Sequence, residues 1–280
     1  MTLETKAHAY WVDLGQRPYD EVQEIQMRVA EARLTGQIQD DILLVVEYNS
    51  PVIEFGMDNK KNQFSPKLND ALWEAGICPE DFISISHHLL DGGIALREKR
   101  RAGGATVIAP GQLVVYPVVN FERIVGHPFG IGAYKSRLDE VMQQVISSYN
   151  ISSYIANGMN LRLERERRDV WVSIHGKDYK IGSKGIHTHR GGIAEGGFVI
   201  YVHQKGMLDF WMVNPCGYDH DDVSVISMEA ILGEAPHMAD IKDRVQEAIQ
   251  QLFSYSRLEN ISEKVLYDKL GLSGVSLLHQ

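Results

Sequence analysis

The sequence holds only two cysteines, Cys78 and Cys216, in 280 residues. Two thiols cannot form a framework of several disulfides, and they fit a reducing compartment. The chain also lacks the run of about 20 apolar residues that a membrane-spanning helix needs. Its first residues, MTLETKAHAYWVDLG, lack the basic start and apolar stretch of a secretory signal. We therefore expect a cytoplasmic protein with no membrane partner.

The chain also lacks an excess of basic residues. The formal net charge is −9, which argues against a general nucleic-acid binder. Hydrophobic residues make up 44% and charged residues 23%, as in ordinary globular proteins. A chain of this length can bury a large core as one big domain or two.

Helical and extended patterns alternate along the chain. Apolar residues at helical spacing predict helices over 18–33, 133–149 and 240–256. Apolar runs predict strands over 41–48, 112–119 and 196–203, and 161–186 resembles strands joined by a tight turn at HGKD. Because these elements interleave without strict βαβ order, the pattern predicts an α+β fold with a mixed β-sheet packed with helices. Residues 57–93 are polar with scattered Gly and Pro, and they predict an irregular insertion.

A glycine-rich loop, RRAGGATVIAPGQLVVYP (100–117), leads directly into one of these strands. Backbone N–H groups around Arg101, Gly103 and Gly104 could surround a carboxylate, a phosphate or a thioester carbonyl. The loop is neither GxxxxGK[ST] nor GxGxxG, so it predicts no nucleotide site. A tight turn beside a solvated arginine pair explains the pattern equally well.

Three further stretches carry candidate chemistry. Cys216 lies in NPCGYD, where it is either a small buried hydrophobe or a reactive thiol. Lys180, in YKIGSKGI, is either a solvated strand residue or an ammonium that favours a nearby thiolate. Gly196 and Gly197, in GGIAEGGFVIYV, either admit a ligand against the backbone or form a bulge.

Two polar clusters are candidate cation sites. The segment HTH places His187 and His189 on one face of a strand, which is metal-ligand geometry if a third ligand converges. The acidic run DHDD (219–222) follows Cys216. No third and fourth ligand is apparent from the spacing, so we expect no metal and no cofactor.

In this order, the four stretches resemble the octanoyltransferases of lipoate synthesis, which move octanoate from a carrier protein to a protein amine. That family's loop reads Arg-Gly-Gly-x-x-Thr-Tyr-His-Gly-Pro-Gly-Gln-Leu-Val-x-Tyr-Pro, and here it reads RAGGATVIAPGQLVVYP. The family's Lys-Ile-Ala-x-x-Gly appears as KIGSKG and its Pro-Cys-Gly as PCG. The resemblance covers most of residues 10–255. It implies a single acyltransferase domain over 1–256 like the catalytic domain of biotin and lipoate protein ligases, with 257–280 as a C-terminal extension.

The resemblance also implies a mechanism and a set of site residues. Cys216 would take the acyl group as a thioester, and Lys180 would stabilise its thiolate and then act as general base. The donor would be acyl carrier protein, and the acceptor a lipoyl domain or H protein. The implied substrate-binding residues are Arg101, Ala102, Gly103, Gly104, Ala105, Thr106, Val107, Ile108, Ser183, Lys184, Gly185, Gly196, Gly197 and Phe198.

The sequence departs from the family where the family has three histidines. Tyr48, Ile108 and Glu195 stand there. An ATP-dependent lipoate or biotin ligase, a lipoyl-amidotransferase and a non-catalytic binding homologue therefore remain alternatives.

The basic runs REKRR (97–101) and RLERERR (162–168) are either solvated strand faces or a docking surface for an acidic carrier protein. Arg97, Lys99 and Arg100 are the docking candidates.

Overall fold

The computed structural model describes residues 7–56, 64–79, 81–99, 104–126, 130–155, 169–214 and 224–272. Within these ranges the chain forms one large mixed sheet, one small sheet and eight α-helices. The strands are β1 (His8–Arg17), β2 (Asp41–Tyr48), β3 (Val52–Phe55), β4 (Ala95–Glu98), β5 (Thr106–Ile108), β6 (Gln112–Asn120), β7 (Ser153–Ile155), β8 (Val170–Ile174), β9 (Lys177–Thr188), β10 (Ile193–Tyr201), β11 (Ser224–Val225) and β12 (Arg257–Asn260). The helices are α1 (Tyr19–Leu34), α2 (Pro66–Glu74), α3 (Phe82–Asp91), α4 (Phe121–Val125), α5 (Ile131–Ser147), α6 (Met228–Leu232), α7 (Met238–Leu252) and α8 (Glu263–Lys269).

The large sheet runs in the order β12-β1-β2-β6-β10-β9-β8-β7, and β11 pairs with β9. Strands β12, β1 and β2 are parallel, whereas β2, β6, β10, β9, β8 and β7 pair antiparallel. The small sheet has the order β4-β3-β5. The predicted mixed sheet packed with helices is thus the observed architecture.

Helices cover the large sheet on both faces because alternate residues of its strands are apolar on each side. On one face, α1 buries Val22, Ile25 and Val29 together with the small sheet. On the other face, α5 and α7 pack into a second apolar cluster through residues such as Leu138 and Val245. Every residue of β6 up to Val119 is buried, as expected for a strand covered on both faces.

The segment 57–93, predicted to be an irregular insertion, contains the helices α2 and α3. The prediction of an irregular segment is therefore wrong for these residues. Ser65 caps α2 by accepting from the Leu68 N–H, and Pro66 occupies the first helical position. Asp81 caps α3. Polar and Gly/Pro composition concealed both helices because each contributes only two fully buried apolar side chains.

The predicted C-terminal extension adds an edge strand to the large sheet. Strand β12 pairs in parallel with β1, and Leu266 of α8 is fully buried. The described part of 257–280 is therefore packed into the same fold as the rest of the chain. No helix among the described residues is both long and apolar enough to cross a membrane.

Candidate active site

A cavity lies between strands β6, β9 and β10 of the large sheet and strands β3 and β5 of the small sheet. Its space, counted together with its open mouth, is about 800 Å³. We call it the central cavity. Its apolar wall consists of Ala105, Ile108, Val114, Val199 and Phe210. Phe198 borders the cavity as well, but its side chain belongs to the apolar cluster on the α5 face of the sheet.

Glycines bring β9, β10 and β6 close together beside this cavity. A Cβ on Gly196 would lie 2.2 Å from the Gly185 carbonyl oxygen, and φ there is +103°, which favours glycine. A Cβ on Gly197 would lie 2.3 Å from the Val115 carbonyl oxygen. The close pairing of these strands therefore requires glycine at both positions. Because glycine has no side chain, the backbone at Gly196 and Gly197 forms part of the cavity lining.

Lys180 lies in β9 on the cavity wall with its side chain only 3% exposed. Its Nζ is 2.8 Å from Asp169 Oδ2, and Asp169 directly precedes β8. Strands β8 and β9 pair antiparallel, which brings the start of β8 beside the middle of β9. An acidic group this close favours the ammonium form of Lys180.

Lys184, four residues further along β9, extends this pair into a buried cluster. Its Nζ contacts Asp139 of α5, which is fully buried, and lies 3.9 Å from Asp169 Oδ1. Lys180, Lys184, Asp169 and Asp139 thus form two cations and two anions, which we call the buried charge cluster. Lys135 lies near it on α5: burial, and then the charge of Lys184, lower the pKa of its ammonium.

Glu54 and Tyr116 also line the cavity, and each contacts a buried tyrosine that lies outside the lining. The hydroxyls of Tyr48 and Tyr116 are 2.7 Å apart, and Tyr19 donates to Glu54 Oε2 at 2.5 Å. Burial, reinforced by Tyr116, raises the pKa of Tyr48 well above its usual range, so its hydroxyl stays protonated. Tyr48 therefore presents a neutral hydroxyl to Tyr116.

The structure brings most of the predicted site residues to this one cavity. Besides Lys180, these are Gly104, Ala105, Thr106, Ile108, Ser183, Lys184, Gly185, Gly196, Gly197 and Phe198. Val107 is different: it is fully buried in the core of the small sheet, opposite Ile53. Because neighbouring side chains of a strand point to opposite faces, Thr106 and Ile108 face the cavity and Val107 does not. Cys216, Arg101, Ala102, Gly103 and the acidic run 219–222 lie outside the described residues.

Sequence reasoning missed both acids of the buried charge cluster. Asp169 follows a basic run and reads as a polar residue before a strand. Asp139 sits beside Leu138 on an otherwise apolar helix face, and that position is its only signal. Lys99 was considered a docking residue, but it lines the cavity and donates to Gln26 Oε1 at 2.7 Å.

Arg97 has an intramolecular partner as well. Its Nε and Nη2 donate to the two carboxylate oxygens of Asp20 at 2.7 and 2.5 Å. The side chain is therefore already engaged by α1, which weakens the case that it docks a carrier protein. Arg100 and 162–168 lie outside the described residues.

The lipoyl protein ligase A/B catalytic domain model matches residues 18–250. An octanoyltransferase of Chloroflexus aggregans is 28% identical over 249 residues, covering 89% of this chain and 96% of the relative. An octanoyltransferase of Alkaliphilus metalliredigens is 26% identical, covering 91% of this chain and 99% of the relative. The resemblance to octanoyltransferases is thereby confirmed over most of the chain.

Solved structures confirm the fold. A lipoate protein ligase from T. acidophilum with bound lipoic acid superposes with a TM-score of 0.63 at 11% identity, covering 94% of this chain and 92% of that chain. A lipoate-protein ligase A bound with ATP gives a TM-score of 0.59 at 12% identity, covering 95% of this chain and 99% of that chain.

Proposed function

Because this chain belongs to the lipoyl protein ligase A/B catalytic domain family, we propose that it is an octanoyltransferase working through an acyl-thioester on Cys216. The observation that carries the proposal is the buried ammonium of Lys180, held 2.8 Å from Asp169 on the wall of an apolar-lined cavity. A buried cation beside an apolar-lined cavity suits a reaction in which a thiolate forms and a proton moves.

The described residues on either side of Cys216 support its role. Asn214, two residues earlier, is buried and donates to the Phe64 carbonyl at 3.0 Å. Eight residues after Cys216, β11 begins beside β9, and Val225 pairs with Lys180. The Ile226 N–H then donates to the Lys180 carbonyl at 2.9 Å. The described residues on the two sides of 215–223 therefore lie in the core (Asn214) and next to Lys180 (Val225).

The first half-reaction acylates the cysteine. The Cys216 thiolate, stabilised by the Lys180 ammonium, attacks the carbonyl carbon of the octanoyl thioester on the carrier protein. The bond from that carbon to the carrier sulfur then breaks, and the departing sulfur takes a proton from Lys180. Exchange of one thioester for another is nearly thermoneutral, so the step needs no ATP.

The second half-reaction transfers the acyl group to the acceptor. The amine of a lysine on a lipoyl domain or H protein attacks the Cys216 thioester, and the now neutral Lys180 takes the proton that the nitrogen loses. The carbon–sulfur bond breaks, which restores the Cys216 thiolate and the Lys180 ammonium. Asp169 holds Lys180 in place throughout and favours its return to the charged form.

The acyl tail is proposed to lie along the apolar wall formed by residues such as Ile108 and Val199. An octanoyl tail buries about seven methylene-sized groups, or roughly 5.6 kcal/mol at about 0.8 kcal/mol each. Each methylene fewer would therefore weaken binding about fourfold, enough for the cavity to select chain length. Ile108, where the family has histidine, makes this wall more apolar.

Intact mass tests the proposal directly. The purified chain is incubated with octanoyl-loaded carrier protein, and we expect a gain of one octanoyl group in place of one hydrogen, mapped to Cys216. Cys216→Ala should abolish the adduct, whereas Cys78→Ala, which changes an exposed thiol, should not. An adduct that persists unchanged in Cys216→Ala would contradict the mechanism.

The same assay separates the alternatives. A ligase would acylate the acceptor from free octanoate and ATP, without the carrier thioester. A lipoyl-amidotransferase would use a lipoylated protein as donor, and a binding homologue would form no adduct. Lys180→Met should slow acyl transfer by about 10²–10⁴-fold. Action in the cytoplasm, inferred from the low cysteine content, stays a prediction.

A further inference from the structure

A histidine pair and a carboxylate meet at the rim of the central cavity. His187 of β9 lies directly opposite Glu195 of β10 in the sheet register. His189, two residues beyond His187, projects from the same side of the chain. One donor atom from each of the three residues lies within 4.8 Å of the other two. We call these three residues the rim triad.

We propose that the rim triad binds a divalent transition metal, with Zn²⁺ as the best match. Two imidazoles and one carboxylate are a common zinc ligand set, and such a set leaves one coordination position open. The proposal is independent of the acyl-transfer reaction, since metal binding can be measured on the chain alone.

The distances fit a tetrahedral ion. Zn–N and Zn–O bonds of about 2.0–2.2 Å place neighbouring ligand atoms roughly 3.3 Å apart. His189 Nε2 is already 3.1 Å from Glu195 Oε1. The imidazole rings of His187 and His189 are 4.7 Å apart and nearly perpendicular, at 89°. A side-chain rotation of His187 would complete the set.

The electrostatic setting also favours a ligand between these groups. His189 Nε2 is buried, yet it makes no hydrogen bond within the described part of the chain. The 3.1 Å separation from Glu195 is therefore close without being aligned as a hydrogen bond. Buried polar atoms normally find a partner, and a metal ion between the two residues would satisfy both.

The backbone holds the rim triad in place. The N–H of His189 donates to the Ile193 carbonyl at 2.8 Å and closes the turn between β9 and β10. Gly191 and Gly192 in that turn have φ of +77° and +74°. The triad therefore sits on two paired strands joined by a short, specific turn, which is the kind of scaffold that fixes ligand geometry.

The open coordination position of the bound ion would face the cavity, because His187 and Glu195 both line it. Mg²⁺ prefers a shell made of oxygen ligands, so it should bind this site poorly.

Calorimetric titration of the chelator-stripped full chain with Zn²⁺ tests the site. We expect one ion per chain, and no binding of Mg²⁺ at the same concentrations. Each of His187→Ala, His189→Ala and Glu195→Gln should weaken Zn²⁺ binding by at least about tenfold. His237→Ala, which changes an exposed histidine at the start of α7, is the matched control and should leave affinity unchanged.

Cobalt supplies a second readout that distinguishes the rim triad from the cysteines. Co²⁺ bound to two imidazoles and a carboxylate should give tetrahedral d–d absorption without a thiolate charge-transfer band. Circular dichroism of each variant shows whether it has folded. Zn²⁺ affinity that stays unchanged in all three folded variants, or a thiolate band that disappears in Cys216→Ser, would overturn the proposal.

Discussion

Replacing Asp169 with asparagine tests the buried charge cluster, because the change removes one charge and nearly preserves shape. Asp169 and Lys180 have side chains 11% and 3% exposed, with charged atoms 2.8 Å apart. At an effective dielectric constant of about 20, their attraction is roughly 6 kcal/mol. Desolvation of two buried ions offsets most of that attraction, so the pair as a whole contributes little.

Removing only one partner is costly, however. Asp169→Asn leaves the buried Lys180 and Lys184 with Asp139 as the remaining acid of the cluster. Removing one partner of a buried ion pair lowers the free energy of unfolding by about 3–5 kcal/mol. Asparagine keeps an oxygen that can still accept from Lys180, so we expect the loss for Asp169→Asn to be about 3 kcal/mol. Urea denaturation at pH 7 should show the loss as a lower midpoint with an unchanged slope.

A control variant and a double variant separate loss of this charge from a general effect of substitution. Asp70→Asn, at an exposed position of α2, should change stability by less than about 0.5 kcal/mol. The double variant Asp169→Asn/Lys180→Met should be more stable than Asp169→Asn alone, because it also removes the buried ammonium that faced Asp169. If the free energy of unfolding of Asp169→Asn lies within about 0.5 kcal/mol of the parent value, Asp169 does not compensate the buried lysines.

Three smaller predictions follow from packing, hydroxyl pairing and a surface ion pair. Gly197→Ala should cost about 3 kcal/mol in thermal or urea denaturation, since its Cβ would meet backbone at 2.3 Å, whereas Gly132→Ala in α5, with nothing within 4 Å, should stabilise by about 0.5–1 kcal/mol. Tyr48→Phe should cost about 1 kcal/mol, and the double variant with Tyr116→Phe should lose less than the sum of the two single changes. Hydrogen bonding to its arginine partner lowers the pKa of Asp20, so this pair should stabilise the fold above pH 3.8 and lose its effect as the pH falls below that value. Asp20→Asn should therefore cost at most about 1 kcal/mol at pH 7 and less at pH 2, by denaturation at the two pH values.

Local patterns were enough to locate the elements that form the site. Apolar spacing predicted the helix at 133–149 and the strand at 112–119, and the structure has them at Ile131–Ser147 and Gln112–Asn120. These elements carry long apolar faces, so burial fixes both their type and their position. The helices within 57–93 were missed because their stability depends on capping residues and on contacts with distant parts of the chain.

The alternation of side chains along a strand explains where the structure places Val107. The resemblance to octanoyltransferases implies substrate contacts at each of residues 101–108. Once residues 106–108 form β5, alternation turns Val107 into the core and leaves its neighbours facing the cavity. Which face of β5 points into the core depends on the elements that pack against it. Val107 and Ile108 are both apolar, so the sequence does not show which of the two faces the core.

Contiguous motifs and periodic burial were enough to identify the family, the mixed sheet, and the candidate nucleophile with its lysine. The groups that surround these residues depend on how distant strands pair. Strand pairing brings Asp169 to Lys180 and Glu195 to His189, although neither pair is marked by its spacing in the chain. Long-range pairing of strands creates charge partners that no local pattern encodes, and those partners set the chemistry that the cavity can perform.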